Sequence, residues 1–98
     1  MLESLTIDHF TSLLQTQFVI HFTQEASHNA VLKRISPWGE PSDKYRQPFT
    51  LEFETDLSKH YYPQGVYRLG HPSLGPLDLF MVPVGLGASG MCYEIVIS

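Results

Sequence analysis

The stretch Phe49-Thr50-Leu51-Glu52-Phe53-Glu54 alternates large apolar and polar side chains at every step. A period of two sends successive side chains to opposite faces of a strand, so Phe49, Leu51 and Phe53 enter a core while Thr50, Glu52 and Glu54 face water. One strand cannot hold itself together, so the rest of the chain must supply a sheet to pair with it and cover its apolar face. Downstream, the turn signal Pro63-Gln64-Gly65 precedes a short strand over 66–69. His71 to Pro76 turns the chain again, and the run 77–82 is apolar on both faces, the pattern of a central strand. Gly85-Leu86-Gly87-Ala88-Ser89-Gly90 reads as a flexible connector. Met91, Tyr93, Ile95 and Ile97 then alternate with Cys92, Glu94 and Val96 as a last strand, and the final three strands are expected to form a meander.

Upstream, Phe18, Ile20 and Phe22 share one face of a first strand that starts at Gln17, and 30–35 gives a second. The segment 36–46 carries Pro37, Gly39 and Pro41 and is expected to be a long surface loop. Before it all, Ile7, Phe10, Leu13 and Leu14 fall on one helical face. They predict an amphipathic helix over about 6–15, with Thr6 as its cap and Asp8 complementing its dipole. Such a helix is too short to stand alone and must dock on the sheet. The expected fold is therefore mainly β: about six antiparallel strands in a small sandwich or partly open barrel, with the N-terminal helix packed on it. Residues 1–98 are read as one domain, with no segment repeating at a fixed period.

Of the 98 residues, 43% are hydrophobic and 16% charged, a balance that excludes the profile of a disordered chain and leaves uncharged polar and aromatic groups to complete the surface. The formal net charge is −4, and the basic residues are scattered apart from Lys33-Arg34. Nothing resembles a stripe that neutralises phosphates, so nucleic acid is not an expected partner. No run approaches the length of a membrane helix, Glu3 and Asp8 interrupt any signal-peptide pattern, and the single cysteine, Cys92, has no internal partner. The expected location is the cytoplasm.

Five histidines raise the question of metal, but His9, His21, His28, His60 and His71 fall into no ligand spacing. His60 and His71 bracket the fourth strand, and their meeting in space is the one arrangement that would revive a site. Cys92 lies between Met91 and Tyr93 on the face away from the core and reads as a packed thiol rather than a nucleophile. Ser89 lacks the GxSxG elbow, and the letters GxGxxG at 85–90 precede a strand where a phosphate-binding turn needs a helix. Glu52 and Glu54 are neighbours on one strand face, where alternating Glu is ordinary solvation before it is an acid/base pair. No catalytic residue, metal ligand or cofactor is expected.

The feature these readings leave over is aromatic and sits in the loops: Trp38, Tyr45, Tyr61 and Tyr62, with His60 beside the last two. Tyr and Trp bury much area at little entropic cost, which suits both contact hot spots and lids over the ends of a small barrel.

Leu5-Thr6-Ile7-Asp8-His9-Phe10, Pro63-Gln64-Gly65-Val66-Tyr67-Arg68-Leu69, His71-Pro72, Leu74-Gly75, Leu79 to Gly85 and Gly90-Met91-Cys92-Tyr93-Glu94 together resemble a family of small single-domain bacterial proteins of unknown function. Some members are encoded near proteins similar to phage-tail collar proteins, so the resemblance implies a role near a tail-like assembly or a secretion apparatus. It brings no catalytic residues. The leading expectation is a non-enzymatic interaction or assembly accessory module whose partner is another protein or a second copy. Next comes a small-ligand barrel with Trp38, Tyr61 and Tyr62 at its mouth, and last a small hydrolase using His60 or His71.

Overall fold

The structure, a computed structural model, describes residues 5–39 and 47–98. One short helix, α1 (Ile7–Thr11), precedes six strands: β1 (Gln17–His21), β2 (Ser27–Pro37), β3 (Phe49–Thr55), β4 (Gly65–Gly70), β5 (Leu77–Leu86) and β6 (Met91–Ile97). All neighbours are antiparallel, and the sheet closes on itself in the order β1-β2-β3-β6-β5-β4. The expected mainly-β fold is present, and of the two expected architectures the barrel forms, closed rather than partly open. β4, β5 and β6 make the expected meander.

β5 lies between β4 and β6, as expected of a central strand, but closure leaves only one of its faces buried. Its inward side chains Leu77, Leu79 and Met81 are buried, but the outside of a barrel faces solvent, and Phe80 stands exposed there. The strands at the two β-hairpin ends are also longer than their patterns suggested. β2 runs on through Pro37 and β5 through Leu86, because each continues as half of a two-stranded ribbon beyond the point where its other neighbour ends. Pro37 and Pro83 are tolerated in these overhangs, where one side of the strand needs no partner.

The helix is shorter than the expected 6–15. The Thr11 hydroxyl donates to the Ile7 carbonyl, the Leu13 N–H to Phe10, and Gln15 adopts a positive φ of 64° that reverses the chain. The Gln15 N–H then donates to Leu32 of β2 at 2.8 Å, so tertiary pairing ends the helical run where the apolar spacing alone would extend it. At its start, Thr6 N–H donates to His9 Nδ1 at 2.9 Å. The helix buries Phe10 against Phe49, with ring centroids 5.9 Å apart, and so plugs the end of the barrel formed by the start of β1 and β3.

Inside, Phe18, Ile20, Leu32, Leu51, Phe53, Leu69, Met81, Tyr93 and Ile95 fill the lumen. Each such side chain contributes about 1.5–3 kcal/mol on burial, opposed by the entropy of ordering it. The edge-on contact of Phe18 with Phe53 at 4.9 Å shows that the lumen is packed rather than hollow.

The registers also contain a two-fold relationship. An operation that exchanges Ile20 with Leu69 across the β1–β4 seam and Glu52 with Glu94 across the β3–β6 seam carries β1 onto 66–70, β2 onto 76–86 and β3 onto β6. It maps the pair Phe18↔Ala30 onto Tyr67↔Leu79, and Pro37↔Phe49 onto Leu86↔Met91. It even maps the bond closing one hairpin, Trp38 N–H to Pro48 O, onto that closing the other, Gly87 N–H to Gly90 O. Each half carries one bulge, between Leu32 and Arg34 and between Pro83 and Gly85. The molecule is thus two three-stranded meanders joined along two seams. Each half is preceded by a segment that covers one end of the barrel: α1 before β1, and residues 56–64 before β4.

Candidate interaction site

The end of the barrel opposite α1 is closed by the segment between β3 and β4. Its anchor is the buried Thr55, whose hydroxyl donates to the Met91 carbonyl at 2.8 Å and accepts the Leu57 N–H at 3.1 Å. The Leu57 carbonyl accepts the Met91 N–H at 2.7 Å, and Leu57 is itself buried. Further on, the Tyr93 hydroxyl rises from the lumen to donate to the Tyr62 carbonyl at 2.7 Å and accept the Tyr62 N–H at 2.8 Å. The Tyr62 ring stacks on Phe22 at 4.5 Å, and the Tyr67 hydroxyl donates to the Pro63 carbonyl. Burial holds the phenols of Tyr93 and Tyr67 above the ordinary tyrosine range. Of the two roles open to the loop aromatics, Tyr62 takes the lid.

Its neighbours His60 and Tyr61 face outward instead. Tyr61 is 56% exposed, and with Ser58, Lys59, His60, Leu86 and Met91 it lines a groove of about 230 Å³ between the lid and the β5–β6 ribbon. Leu86, 69% exposed, stands at the tip of the β5 overhang. Beyond Met81 that strand pairs with β6 on one side, and among the described residues no strand pairs with it on the other. The groove therefore holds exposed apolar side chains at the tip of a strand overhang.

Glycine fixes the ribbon in place. A Cβ on Gly90 would lie 2.6 Å from backbone atoms of both Thr55 and Leu57, and one on Gly87 would lie 2.8 Å from the Glu54 carboxyl carbon. The Ser89 N–H donates to the Glu54 carboxylate. The run 85–90, expected as a flexible connector, is instead partly strand and partly a turn pressed onto the end of β3.

Among the other expected residues, Trp38 is 49% exposed but leaves β2 at the α1 end, where Pro37 faces Phe49, so it shares no mouth with Tyr61 and Tyr62. Tyr45 lies outside the described residues. His60 and His71 sit at opposite ends of β4. The ring of His60 is 5.9 Å from Tyr62, while that of His71 packs on Phe18 at 4.5 Å, accepts the Ser73 N–H at Nδ1 and places Nε2 3.3 Å from the Thr16 hydroxyl. Leu86 and Met91 were missed as groove residues because one reads as connector and the other as core. The period-two pattern of β6 carries no sign that its first residue opens onto a surface.

The candidate chemical groups are engaged in structure. Burial, then the nearby charges of Glu54 and Glu52, push the Cys92 thiol up, which disfavours a thiolate. Glu54 holds the turn at Ser89 rather than forming a free pair with Glu52. His28, weighed above only as a metal ligand, places Nδ1 2.9 Å from the Asp56 carboxylate and tethers the lid to the start of β2. A larger, open groove of about 590 Å³ runs outside β1 and β4 past His21, Tyr67 and the Arg68–Asp78 ion pair. Among the described residues no three metal-ligating side chains gather, and no helix is long and apolar enough to cross a membrane.

Fold and site together define a small closed antiparallel barrel, plugged at both ends and carrying a groove with exposed apolar side chains at the tip of a strand overhang. The chain belongs to the family described as Domain of unknown function (DUF6916), whose model matches residues 5–97. No curated protein and no solved structure matches it.

Proposed function

We propose that this protein is a non-enzymatic interaction module that captures an extended, apolar segment of a partner protein in the groove between Tyr61 and Leu86. The observation that carries this reading is the clustering of exposed Tyr61 and Leu86 in one groove, at the tip of a β5 overhang that pairs on one side only among the described residues. An added strand gains main-chain hydrogen bonds from such an edge, while the flanking side chains select what it carries. Pro83 removes one donor from the overhang and limits unselective pairing. The setting we assign is that of an assembly accessory in the bacterial cytoplasm, serving a phage-tail-like or secretion apparatus, as the family resemblance implies.

The test is capture from native lysate with the wild-type protein and a Tyr61→Ser, Leu86→Ser variant. Both positions are exposed, so the variant keeps its core. A defined partner retained by the first and lost by the second supports the groove; equal retention of the same partners by both places binding elsewhere and removes this reading.

A further inference from the structure

The two-fold relationship gives the groove a counterpart at the other end of the barrel. Met91 takes the place of Phe49, and Leu86 that of Pro37. Over Phe49 the first half seats Phe10, with ring centroids 5.9 Å apart, and neither residue keeps any exposure. At Met91 the cover is incomplete. The lid's own apolar residue, Leu57, is buried and holds the Met91 N–H through its carbonyl, yet the Met91 side chain stays half-buried and lines the groove beside exposed Leu86. Protein interiors are close-packed, so a seat that one half fills with a phenylalanine and the other leaves partly open has room for a side chain supplied from outside.

Charge narrows the occupant further. The chain carries a net −4, yet among the described residues the groove is lined by Lys59 and His60 and by no carboxylate. The acids nearest Lys59 in sequence, Glu54 and Asp56, line a separate pocket with Lys33 outside β2 and β3. Glu54 accepts the Ser89 N–H there, and Asp56 pairs with His28. Glu52 and Glu94 face each other further along the β3–β6 seam. Among the described residues Lys59 pairs with none of them. We infer, building on the groove reading above, that the partner segment presents a large apolar side chain, phenylalanine above all, with a carboxylate beside it. The apolar side chain enters beside Leu86 and Met91, the seat that Phe10 fills in the other half, and the carboxylate meets Lys59 and His60.

The experiment is a titration of the isotope-labelled full chain, followed by its amide resonances. The probes are capped threonine peptides carrying a phenylalanine followed by a glutamate, the same peptide with glutamine for glutamate, and the same with serine for phenylalanine. The first is expected to shift the amides of 58–61, 86 and 91, the serine peptide to leave them in place, and the glutamine peptide to bind about two- to fivefold more weakly at low salt. Lys59→Gln should abolish that preference and Lys59→Glu should invert it; Lys59 is exposed, so both variants keep the fold. A peptide ending in phenylalanine, with its terminus free or amidated, tests the chain end as the source of the carboxylate: a larger preference here than between glutamate and glutamine assigns the charge to a C-terminus, a smaller one to a side chain. No shift at these amides with any peptide overturns the inference. So does binding that needs neither the phenylalanine nor a carboxylate, or a preference that Lys59→Gln leaves unchanged. The groove reading fails separately, when capture from lysate is indifferent to Tyr61→Ser with Leu86→Ser.

Discussion

The hydroxyl of Tyr93, inside the barrel, satisfies both backbone groups of Tyr62 in the lid, donating to its carbonyl and accepting its N–H. One side chain thereby ties the lumen to the segment that closes it. Tyr93→Phe leaves the ring and removes the tie, so two partly buried polar groups lose their partner. The expected cost is about 1–3 kcal/mol. Urea unfolding measures it, and faster hydrogen exchange at Tyr62 should accompany it; a variant as stable as wild type would show that water replaces the hydroxyl without penalty.

Alkali should loosen the same end. Folding raises the phenol values of Tyr93 and Tyr67, chiefly through burial, so the folded state prefers the neutral forms. Their contribution is fully present below the unfolded value, about pH 10, and is lost as pH rises through the folded values. Stability measured against pH should therefore fall above that point, and less steeply in Tyr93→Phe. Parallel curves for the two proteins would count against Tyr93 as a source of the loss.

The Cys92 thiol should be slow to react. Burial and two neighbouring carboxylates raise its pKa, and the thiolate is the reactive species. Labelling by a disulfide reagent at neutral pH should be slow for the native protein and rapid in denaturing urea. Rapid native labelling would mean that the turn at 87–90 opens readily.

Gly90→Ala should be damaging where Gly39→Ala is not a matter of space. The added methyl carbon at Gly90 meets three backbone atoms at 2.6 Å, while at Gly39 it meets nothing within 4 Å among the described residues and must adopt a positive φ of 77°. Overpacking of this kind costs roughly 1–3 kcal/mol. Thermal unfolding of the two variants should rank Gly90→Ala as the less stable; the reverse order would mean that the lid shifts freely to make room.

Much of this architecture was legible because a period of two is hard to mistake. Phe49, Leu51 and Phe53 go inward and Tyr93, Ile95 and Ile97 do the same, as their alternation requires. What was not legible depends on neighbours far along the chain. Leu14 continues an apolar helical face, yet Gln15 is drawn into pairing with Leu32 and the helix stops. Phe80 looks like core until closure puts it outside. At the site, Tyr61 and His60 were visible as loop aromatics, but Leu86 became part of the groove through the overhang of β5, a property of register. The two-fold relationship was hidden because equivalent positions hold unlike residues, such as Leu51 and Tyr93, that share burial but not identity.

That relationship also sets an order of assembly. The pairings within each meander join strands adjacent in sequence, whereas Ile20↔Leu69 and Leu51↔Ile95 join residues from opposite halves of the chain. Distant contacts carry the greater loop-closure entropy, so zipping the two seams is expected to be the slow event of folding. Ile20→Val and Ile95→Val should then slow refolding in a stopped-flow experiment; if they accelerate unfolding alone, the seams close after the barrier has been crossed.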